Sequence, residues 1–233
     1  MNNILKNKKI LITAGPTREA IDPVRYISNH STGKMGYAIA AQFLACGAEV
    51  ILVSGPVSIN LAHPRLRIIK VESASEMDLA CCRFYEELDV AVFSAAVADY
   101  RPESISDQKI KKDDSSFTIK MVKNVDIAYE FGKVKSGKQI AVGFALETND
   151  ELKHAMGKLS KKNFDMIVLN SMNDANAGFG FDTNRVSIIK TDLTKTDYLL
   201  KDKRQVAEDI VHEVAMLILA KEDFQTAGAA MTA

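Results

Sequence analysis

The sequence contains no tryptophan, only three cysteines and no net charge, since 30 Lys and Arg residues balance 30 Asp and Glu residues. A balanced charge gives no general attraction to nucleic acid or to a membrane surface, so neither is expected as a partner. Cys46, Cys81 and Cys82 have no CxxC or metal-ligand spacing, and we expect buried, reduced thiols. No apolar run reaches the roughly 18 residues of a membrane-spanning helix, and the N-terminal run is too short for a signal peptide. We therefore expect a cytoplasmic protein.

Two common nucleotide-binding motifs are also absent. The GxGxxG motif is missing because no glycine precedes Gly33 and Gly36 at the required position. A Walker A loop is missing because Met35 follows Gly33-Lys34 where Ser or Thr is needed, and Ser28 stands where the first glycine belongs. The four histidines show no metal-ligand pattern, so no protein ligand for a metal is assigned.

Apolar segments that favour strands alternate with segments that favour helices along most of the chain. The predicted strands cover 10–13, 49–54, 66–71, 90–97, 139–145 and 166–170, and the predicted helices cover 35–46, 73–88, 126–134, 151–162 and 203–221. This alternation predicts an α/β protein with a Rossmann-like, mostly parallel sheet and helices on both faces. The stretch Phe117–Lys123 and a polar-turn hairpin over 185–200 predict a small edge-strand and hairpin extension. We expect one domain over 1–222 and a disordered tail over 223–233.

The loop after the first predicted strand is a candidate site. Ligands in open parallel sheets bind beyond the carboxyl ends of the strands. This loop is longer than the roughly two to six residues usual for a strand-to-helix connection. Its last part, Ser28 to Gly36, places hydroxyls and glycines at a helix N-terminus, which is a favourable environment for phosphate. Simple helix capping explains the same pattern and stays open as the alternative.

A second candidate is the end of the strand that contains Val90. The small residues Ala95 to Ala98 let a flat ligand approach the backbone. Asp99 follows them and can accept hydrogen bonds from a ribose or a base. The alternative is a solvated loop carboxylate.

Lysines form the third candidate. Lys109, Lys111 and Lys112 lie together in a predicted loop, whereas Lys158 and Lys162 share one face of a predicted helix. Both clusters lie next to predicted ligand loops, which favours polyphosphate binding. Solvated surface lysines are the alternative.

Several segments occur together in a recognisable order, namely 13–19 (TAGPTRE), 22–31 (DPVRYISNHS), 33–36 (GKMG), 95–99 (AAVAD), 109–112 (KIKK), 120–124 (KMVKN) and 143–148 (GFALET). Over about residues 8–220 the sequence resembles the phosphopantothenoylcysteine synthetases. It departs from that pattern at Val125, where the family commonly has proline, and at Thr32, where serine is common.

The resemblance implies a ligase that joins 4′-phosphopantothenate to L-cysteine through an acyl-cytidylate, converting CTP to CMP and pyrophosphate. This reaction is the second step of coenzyme A synthesis from pantothenate. The Lys-Ile-Lys-Lys loop is similar to the CTP-using bacterial form, and Mg²⁺ is expected with the triphosphate. Family members are homodimers, for which Phe117–Lys123 is the expected pairing surface. We expect a stand-alone synthetase without the flavin-dependent decarboxylase domain. A separate decarboxylase is then a possible partner.

The resemblance also implies roles for individual residues. Asn29 would hold the acyl-cytidylate, Arg25 and the Ala96 backbone would hold the substrate end, and Lys109 would act in catalysis. The nucleotide would be bound by Gly15, Ser31, Phe93, Ser94, Ala95, Ala96, Asp99, Lys109, Val125, Asp126, Ile127, Ala128, Phe144, Lys158 and Lys162.

Two other functions remain compatible with the sequence. One is an NAD(P)-dependent reductase on a similar sheet, which the missing GxGxxG motif disfavours. The other is a non-catalytic nucleotide-binding regulator, which would bind CTP without releasing pyrophosphate.

Overall fold

The computed structural model describes residues 2–111, 116–147, 151–171 and 181–231. Its helices are α1 (Asn2–Leu5), α2 (Lys34–Ala45), α3 (Ala74–Cys82), α4 (Ile127–Val134), α5 (Glu151–Lys161) and α6 (Lys203–Met231), with a 3-10 turn at Tyr85–Glu87. Its strands are β1 (Lys9–Ala14), β2 (Arg18–Ala20), β3 (Tyr26–Ser28), β4 (Glu49–Ser54), β5 (Leu66–Lys70), β6 (Val90–Phe93), β7 (Tyr100–Pro102), β8 (Met121–Lys123), β9 (Ile140–Glu147), β10 (Met166–Ser171), β11 (Thr183–Asn184), β12 (Val186–Lys190), β13 (Lys195–Asp197) and β14 (Lys201–Asp202). Lys112 and Thr148, which belong to motifs quoted above, lie outside the described residues.

The central sheet has eight strands in the order β13-β12-β10-β9-β6-β1-β4-β5. Strands β10 through β5 pair in parallel, and β12 and β13 extend the sheet antiparallel at one edge. The chain first builds outward from β1 through β4 to β5, then returns and builds from β6 through β9 to β10. The strand order therefore reverses between β1 and β6, and a crevice opens at the carboxyl ends of these two strands.

Helices cover both faces of this sheet. Helices α2 and α6 pack on one face, where Ile10 and Ile12 of β1 point. Helices α3, α4 and α5 pack on the other face with Leu11. Because successive strand residues point to opposite faces, a strand covered on both sides must be apolar throughout. Burying each of these large side chains contributes about 1.5–3 kcal/mol. The predicted fold class is confirmed.

Small ribbons extend from the sheet. Strands β2 and β3 form an antiparallel hairpin inside the long first loop, which the sequence analysis treated as irregular. The predicted strand over Phe117–Lys123 is shorter, since only Met121–Lys123 pairs, and it pairs with β7 in a ribbon apart from the central sheet. The predicted hairpin near 185–200 exists, with β12 and β13 joined to the central sheet.

Several boundaries or environments differ from the predictions. The helix predicted over 73–88 ends at Cys82 and is followed by the 3-10 turn at Tyr85–Glu87. Strand β6 ends at Phe93 rather than Val97, because Ser94 Oγ donates to the Thr13 carbonyl and the chain bends toward the loop after β1. Helix α6 continues past the predicted end at Lys221 to Met231. Alanines in this segment favour helix. Cys82 is exposed while Cys81 is buried, since neighbouring helical residues point in different directions.

Among the described residues, no helix is long and apolar enough to cross a membrane.

Candidate active site

A cavity of about 960 Å³ lies at the point where the strand order reverses. Its floor is the junction between the ends of β1 and β6. There the Ser94 hydroxyl donates to the Thr13 carbonyl at 2.6 Å, and the Ala96 N–H donates to the Gly15 carbonyl at 2.9 Å. These bonds hold the loop after β6 against the loop after β1, so residues distant in sequence form one continuous surface.

Most of the residues that the sequence analysis singled out line this cavity: Asn29, Ser31, Phe93, Ser94, Ala95, Ala96, Asp99, Val125, Asp126, Ile127, Ala128, Phe144, Lys158 and Lys162. Gly15, Arg25 and Lys109 are not among its lining residues. The structure thus brings most of the predicted set together, while the individual roles of these residues stay predictions.

Gly15 lies behind the lining rather than in it. Its φ of 77° is in the left-handed region, and a Cβ there would come within 2.8 Å of a Val57 methyl group. Gly33, at the N-cap of α2, also has positive φ and packs against Gly15, since a Cβ on it would lie 3.5 Å from the Gly15 Cα. Two side-chain-free residues in contact let the first loop fold closely under the cavity.

The side chain of Asn29 bridges the two walls. It follows β3, and its Nδ2 donates to the Val97 carbonyl at 3.0 Å and to the Ala96 carbonyl at 3.4 Å. The Ser28 hydroxyl just before it donates to the Thr17 carbonyl at 2.7 Å. Asn29 is therefore placed by its neighbours and remains exposed at the cavity surface.

Lys158 and Lys162 reach the cavity from the α5 side. Lys162 Nζ lies 2.9 Å from the Asp126 carboxylate, and Asp126 caps α4 by accepting from the Tyr129 N–H at 3.1 Å. The predicted lysine pair and the predicted nucleotide segment at the start of α4 are thus in direct contact. An exposed pair of this kind contributes little to stability, so Lys162 can exchange Asp126 for an anionic ligand at small cost.

The lysine loop is fastened at Ile110. The Ile110 N–H donates to Asp22 Oδ2 at 3.1 Å, and Arg25 Nη2 donates to the Ile110 carbonyl at 3.1 Å. Asp22 and Arg25 are themselves paired, and the Arg25 guanidinium holds the pKa of the Asp22 carboxyl well below its usual range. In this structure Arg25 contacts the loop that carries Lys109, rather than the cavity.

Two further lysines, Lys34 and Lys203, line the cavity without a role predicted from the sequence. Lys34 belongs to the quoted GKMG motif, which was the available signal. Lys203 is the first residue of the long helix α6, where a lysine alone gives no indication of a cavity. Asn124 and Asn184 were missed in the same way.

The fold and the cavity define the class of protein first: a Rossmann-like α/β protein with a cavity at the switch point of its sheet. A model of the family described as the DNA/pantothenate metabolism flavoprotein C-terminal domain matches residues 5–218. The chain belongs to this family.

Relatives and a solved structure agree with this membership. The coenzyme A biosynthesis bifunctional protein CoaBC of Bacillus subtilis (strain 168) is 46% identical over 213 residues, covering 91% of this chain and 52% of the relative. A protein named cysteine/cysteine sulfinic acid decarboxylase, from an unknown prokaryotic organism, is 47% identical over 214 residues, covering 92% of this chain and 60% of the relative. The crystal structure of the C-terminal domain of CoaBC matches with a TM-score of 0.79 and 39% identity, covering 94% of this chain and 99% of that one.

The chain therefore spans between about half and three fifths of the length of these two relatives, but nearly all of the crystallised CoaBC domain. The resemblance first indicated by the motifs is confirmed at the level of the family and the domain.

Proposed function

We propose that the protein is a phosphopantothenate–cysteine ligase of coenzyme A synthesis, which uses CTP. One observation carries the proposal: in a chain of this family, a single cavity at the switch point brings together Asn29, Asp99 and the pair Lys158 and Lys162. A carboxylate is a poor electrophile, and an enzyme that activates it with a nucleotide must hold two anionic substrates together. A cavity with an uncharged amide donor and separate lysines meets that requirement.

The proposed reaction has two steps. The phosphopantothenate carboxylate attacks the α-phosphorus of CTP, the bond to the β-phosphate breaks, and pyrophosphate leaves. The cysteine amine then attacks the acyl carbon of the acyl-cytidylate, CMP leaves with the bonding electron pair, and the amine loses a proton. Negative charge develops on phosphate oxygens in the first step and on the acyl oxygen in the second, so preorganised donors lower both barriers.

Asn29 suits the intermediate because its amide can donate a hydrogen bond without adding charge. In the structure its Nδ2 donates to the carbonyls of Ala96 and Val97. A bound acyl oxygen would compete with these carbonyls for the same donor. We propose that this exchange couples occupation of the site to the loop after β6.

Lys109 is exposed and lies outside the cavity lining, although its loop is fastened at Ile110. We propose that its side chain reaches the ligands when the loop closes over them, as mobile active-site loops commonly do. Mg²⁺ would enter with the triphosphate. Within the described ranges no group of three His, Cys, Asp or Glu side chains can hold a metal ion, so phosphate oxygens and water would supply most of its ligands.

The assay that tests the proposal measures pyrophosphate release with CTP and with ATP, each with and without phosphopantothenate and cysteine. We expect release to require phosphopantothenate, to be faster with CTP, and to be followed by amide product only when cysteine is present. Comparable rates with ATP would contradict the preference for CTP but not the ligase activity. CTP binding without pyrophosphate release would instead support a non-catalytic nucleotide-binding regulator.

Other functions give different signals in the same preparation. Cysteine sulfinic acid decarboxylation, suggested by the name of one relative, would release CO₂ without any nucleotide. A reductase would enhance NAD(P)H fluorescence on binding. Either result, without ligation, would overturn the proposal.

We also propose that the protein forms a homodimer and acts in the cytoplasm. Exposed aromatic side chains occur on the ribbons outside the central sheet, at Tyr26 of β3 and Tyr100 of β7, and at Phe117 before β8; they are 50%, 47% and 58% exposed. Large apolar side chains left exposed in this way favour an interface. Light scattering that gives a monomeric mass at working concentration would contradict the dimer.

A further inference from the structure

Two lysines line the cavity on the side away from Lys158 and Lys162. Lys34 is the first residue of α2, and Lys203 is the first residue of α6. Helices α2 and α6 pack on one face of the sheet, whereas α5, which carries Lys158, packs on the other. The carboxyl edge of the sheet therefore has a lysine pair on each side.

Lys34 and Lys203 lie close enough to each other to interact electrostatically, and both interact with the carboxylate of Asp182. Lys203 is only 8% exposed, and its Nζ donates to the Phe181 carbonyl at 2.5 Å. Lys34 Nζ lies 2.5 Å from the carboxylate of Asp182, whose side chain is 84% exposed. Burial, and then the nearby charge of Lys34, lower the pKa of Lys203, and the carboxylate of Asp182 opposes this shift. Because the Asp182 carboxylate is largely exposed, its pairing contributes little to stability, and a bound anion can take its place beside the two ammonium groups.

Backbone groups add to this environment. Gly33 caps α2 without a side-chain hydrogen bond to the first turn, and Lys34, Met35 and Gly36 line the cavity. The first N–H groups of a helix have no acceptor within the helix and lie at its positive end. The lysines and the helix start thus present positive charge to the same part of the cavity.

We propose that Lys34 and Lys203 form a second phosphate-binding subsite, separate from the subsite of Lys158 and Lys162. The inference rests on the proposed function, in which two phosphorylated compounds occupy one cavity together. The shared ligand chemistry is a phosphate group, carried either by the acyl substrate as a monoester or by the nucleotide as its leaving pyrophosphate. Separate subsites would keep two polyanions in one cavity without direct repulsion.

The test compares wild type with Lys34→Gln and Lys203→Gln. Lys133→Gln is the matched control, because Lys133 is an exposed helical lysine paired with Glu130 and lies outside the cavity lining. Michaelis constants are measured for CTP and for phosphopantothenate, together with kcat/KM for pantothenate, which lacks the phosphate. Loss of one charged hydrogen bond should raise the Michaelis constant of the substrate whose phosphate binds there by about 10-fold or more.

The two sources give different results. If the subsite holds the acyl substrate, KM for phosphopantothenate rises, KM for CTP stays constant, and kcat/KM for pantothenate is unchanged. If it holds the nucleotide, KM for CTP rises instead. If neither constant rises in either lysine variant beyond its value in Lys133→Gln, the subsite is refuted.

Calorimetric titration with inorganic pyrophosphate and with inorganic phosphate separates this inference from the proposed function. It reports binding even in a protein that shows no turnover. We expect wild type and Lys133→Gln to bind at least one of these anions more tightly than Lys34→Gln, whose substitution lies at a partly exposed helix start and should not prevent folding. Equal binding by all of the variants would overturn the subsite, whatever the activity.

Discussion

The carboxylate of Asp22 accepts a hydrogen bond from the backbone N–H of Ile110 at 3.1 Å, across 88 residues of sequence. The same Ile110 offers its carbonyl to Arg25 at 3.1 Å. Both backbone groups of one residue are thus held by a carboxylate–guanidinium pair whose carboxylate is fully buried. Lys109 and Lys111 flank Ile110, so these two hydrogen bonds fix the position of the backbone from which both lysine side chains extend.

Replacement of Asp22 by Asn should disturb the loop and slow the reaction. The amide keeps the size of the carboxylate but removes the charge that pairs with Arg25. Because a displacement of about 1 Å in a catalytic group can cost about 10²-fold in rate, we expect kcat to fall on the order of 10-fold or more. KM for CTP should change less. Steady-state kinetics measure both constants.

Asp107→Asn is the control, since Asp107 lies exposed in the same region of the chain. It should keep wild-type kcat. An Asp22→Asn enzyme with wild-type kcat would show that the loop does not depend on the Asp22 contact.

Asp22 should also make stability depend on pH. Its pKa is lowered in the folded protein, first by the hydrogen bond from Arg25. A group of this kind stabilises the folded state fully above its unfolded pKa of about 3.9, and this contribution is lost as the pH falls toward the folded pKa. The difference in unfolding free energy between wild type and Asp22→Asn should therefore be largest near neutral pH and shrink below about pH 4. Urea denaturation at several pH values measures it, and a difference that grew on acidification would contradict the pairing.

Asn29→Asp should separate binding from product formation. A carboxylate cannot donate to an acyl oxygen, and it would also repel the carbonyls of Ala96 and Val97 that the amide now contacts. We expect CTP binding to persist while amide formation falls about 10²–10³-fold, the usual effect of losing a donor to a developing charge. Quench-flow with labelled CTP follows acyl-cytidylate and amide product separately. Near-native amide formation would show that Asn29 is not at the reacting atoms.

Lys109→Gln should affect the second step more than the first. We expect acyl-cytidylate to form, but to pass to cysteine slowly, because the side chain acts only after the loop closes. The same quench-flow experiment measures this. If the substitution raised only KM for CTP, Lys109 would be a binding residue and its catalytic role should be withdrawn.

Substitution by alanine should change the stability of the protein in opposite directions at two helical glycines. A Cβ on buried Gly36 of α2 would lie 2.6 Å from the Ala14 Cβ and 2.8 Å from Ser94 Oγ, at the cavity floor. Gly36→Ala should therefore destabilise the protein by about 1–3 kcal/mol, as overpacking usually does. Gly157 of α5 is exposed and a Cβ there meets nothing within 4 Å, so Gly157→Ala should stabilise by about 0.5–1 kcal/mol. Thermal denaturation compares them, and changes of the same sign would refute the packing argument.

Much of the fold could be predicted because its signals are local. Val90–Phe93 is apolar throughout, which is typical of a strand covered on both faces, and Ser73 with Glu76 marks the start of α3 by the capping contact that the structure contains at 3.2 Å. The hairpin of β2 and β3 escaped prediction. Its strands are three residues each, too short for a periodic pattern.

Sequence by itself determined the alternation of strands and helices, the motifs of the family and the residues of the predicted nucleotide loops. Each of these depends on residues close together in the chain, where the periods of strand and helix are visible. Only the tertiary structure decided that Lys34 and Lys203 line the same cavity, and that Asp22 binds the backbone of Ile110. Contacts of that kind depend on how α2, α6 and the first loop pack against the sheet, and no local pattern of residues records the distance between them.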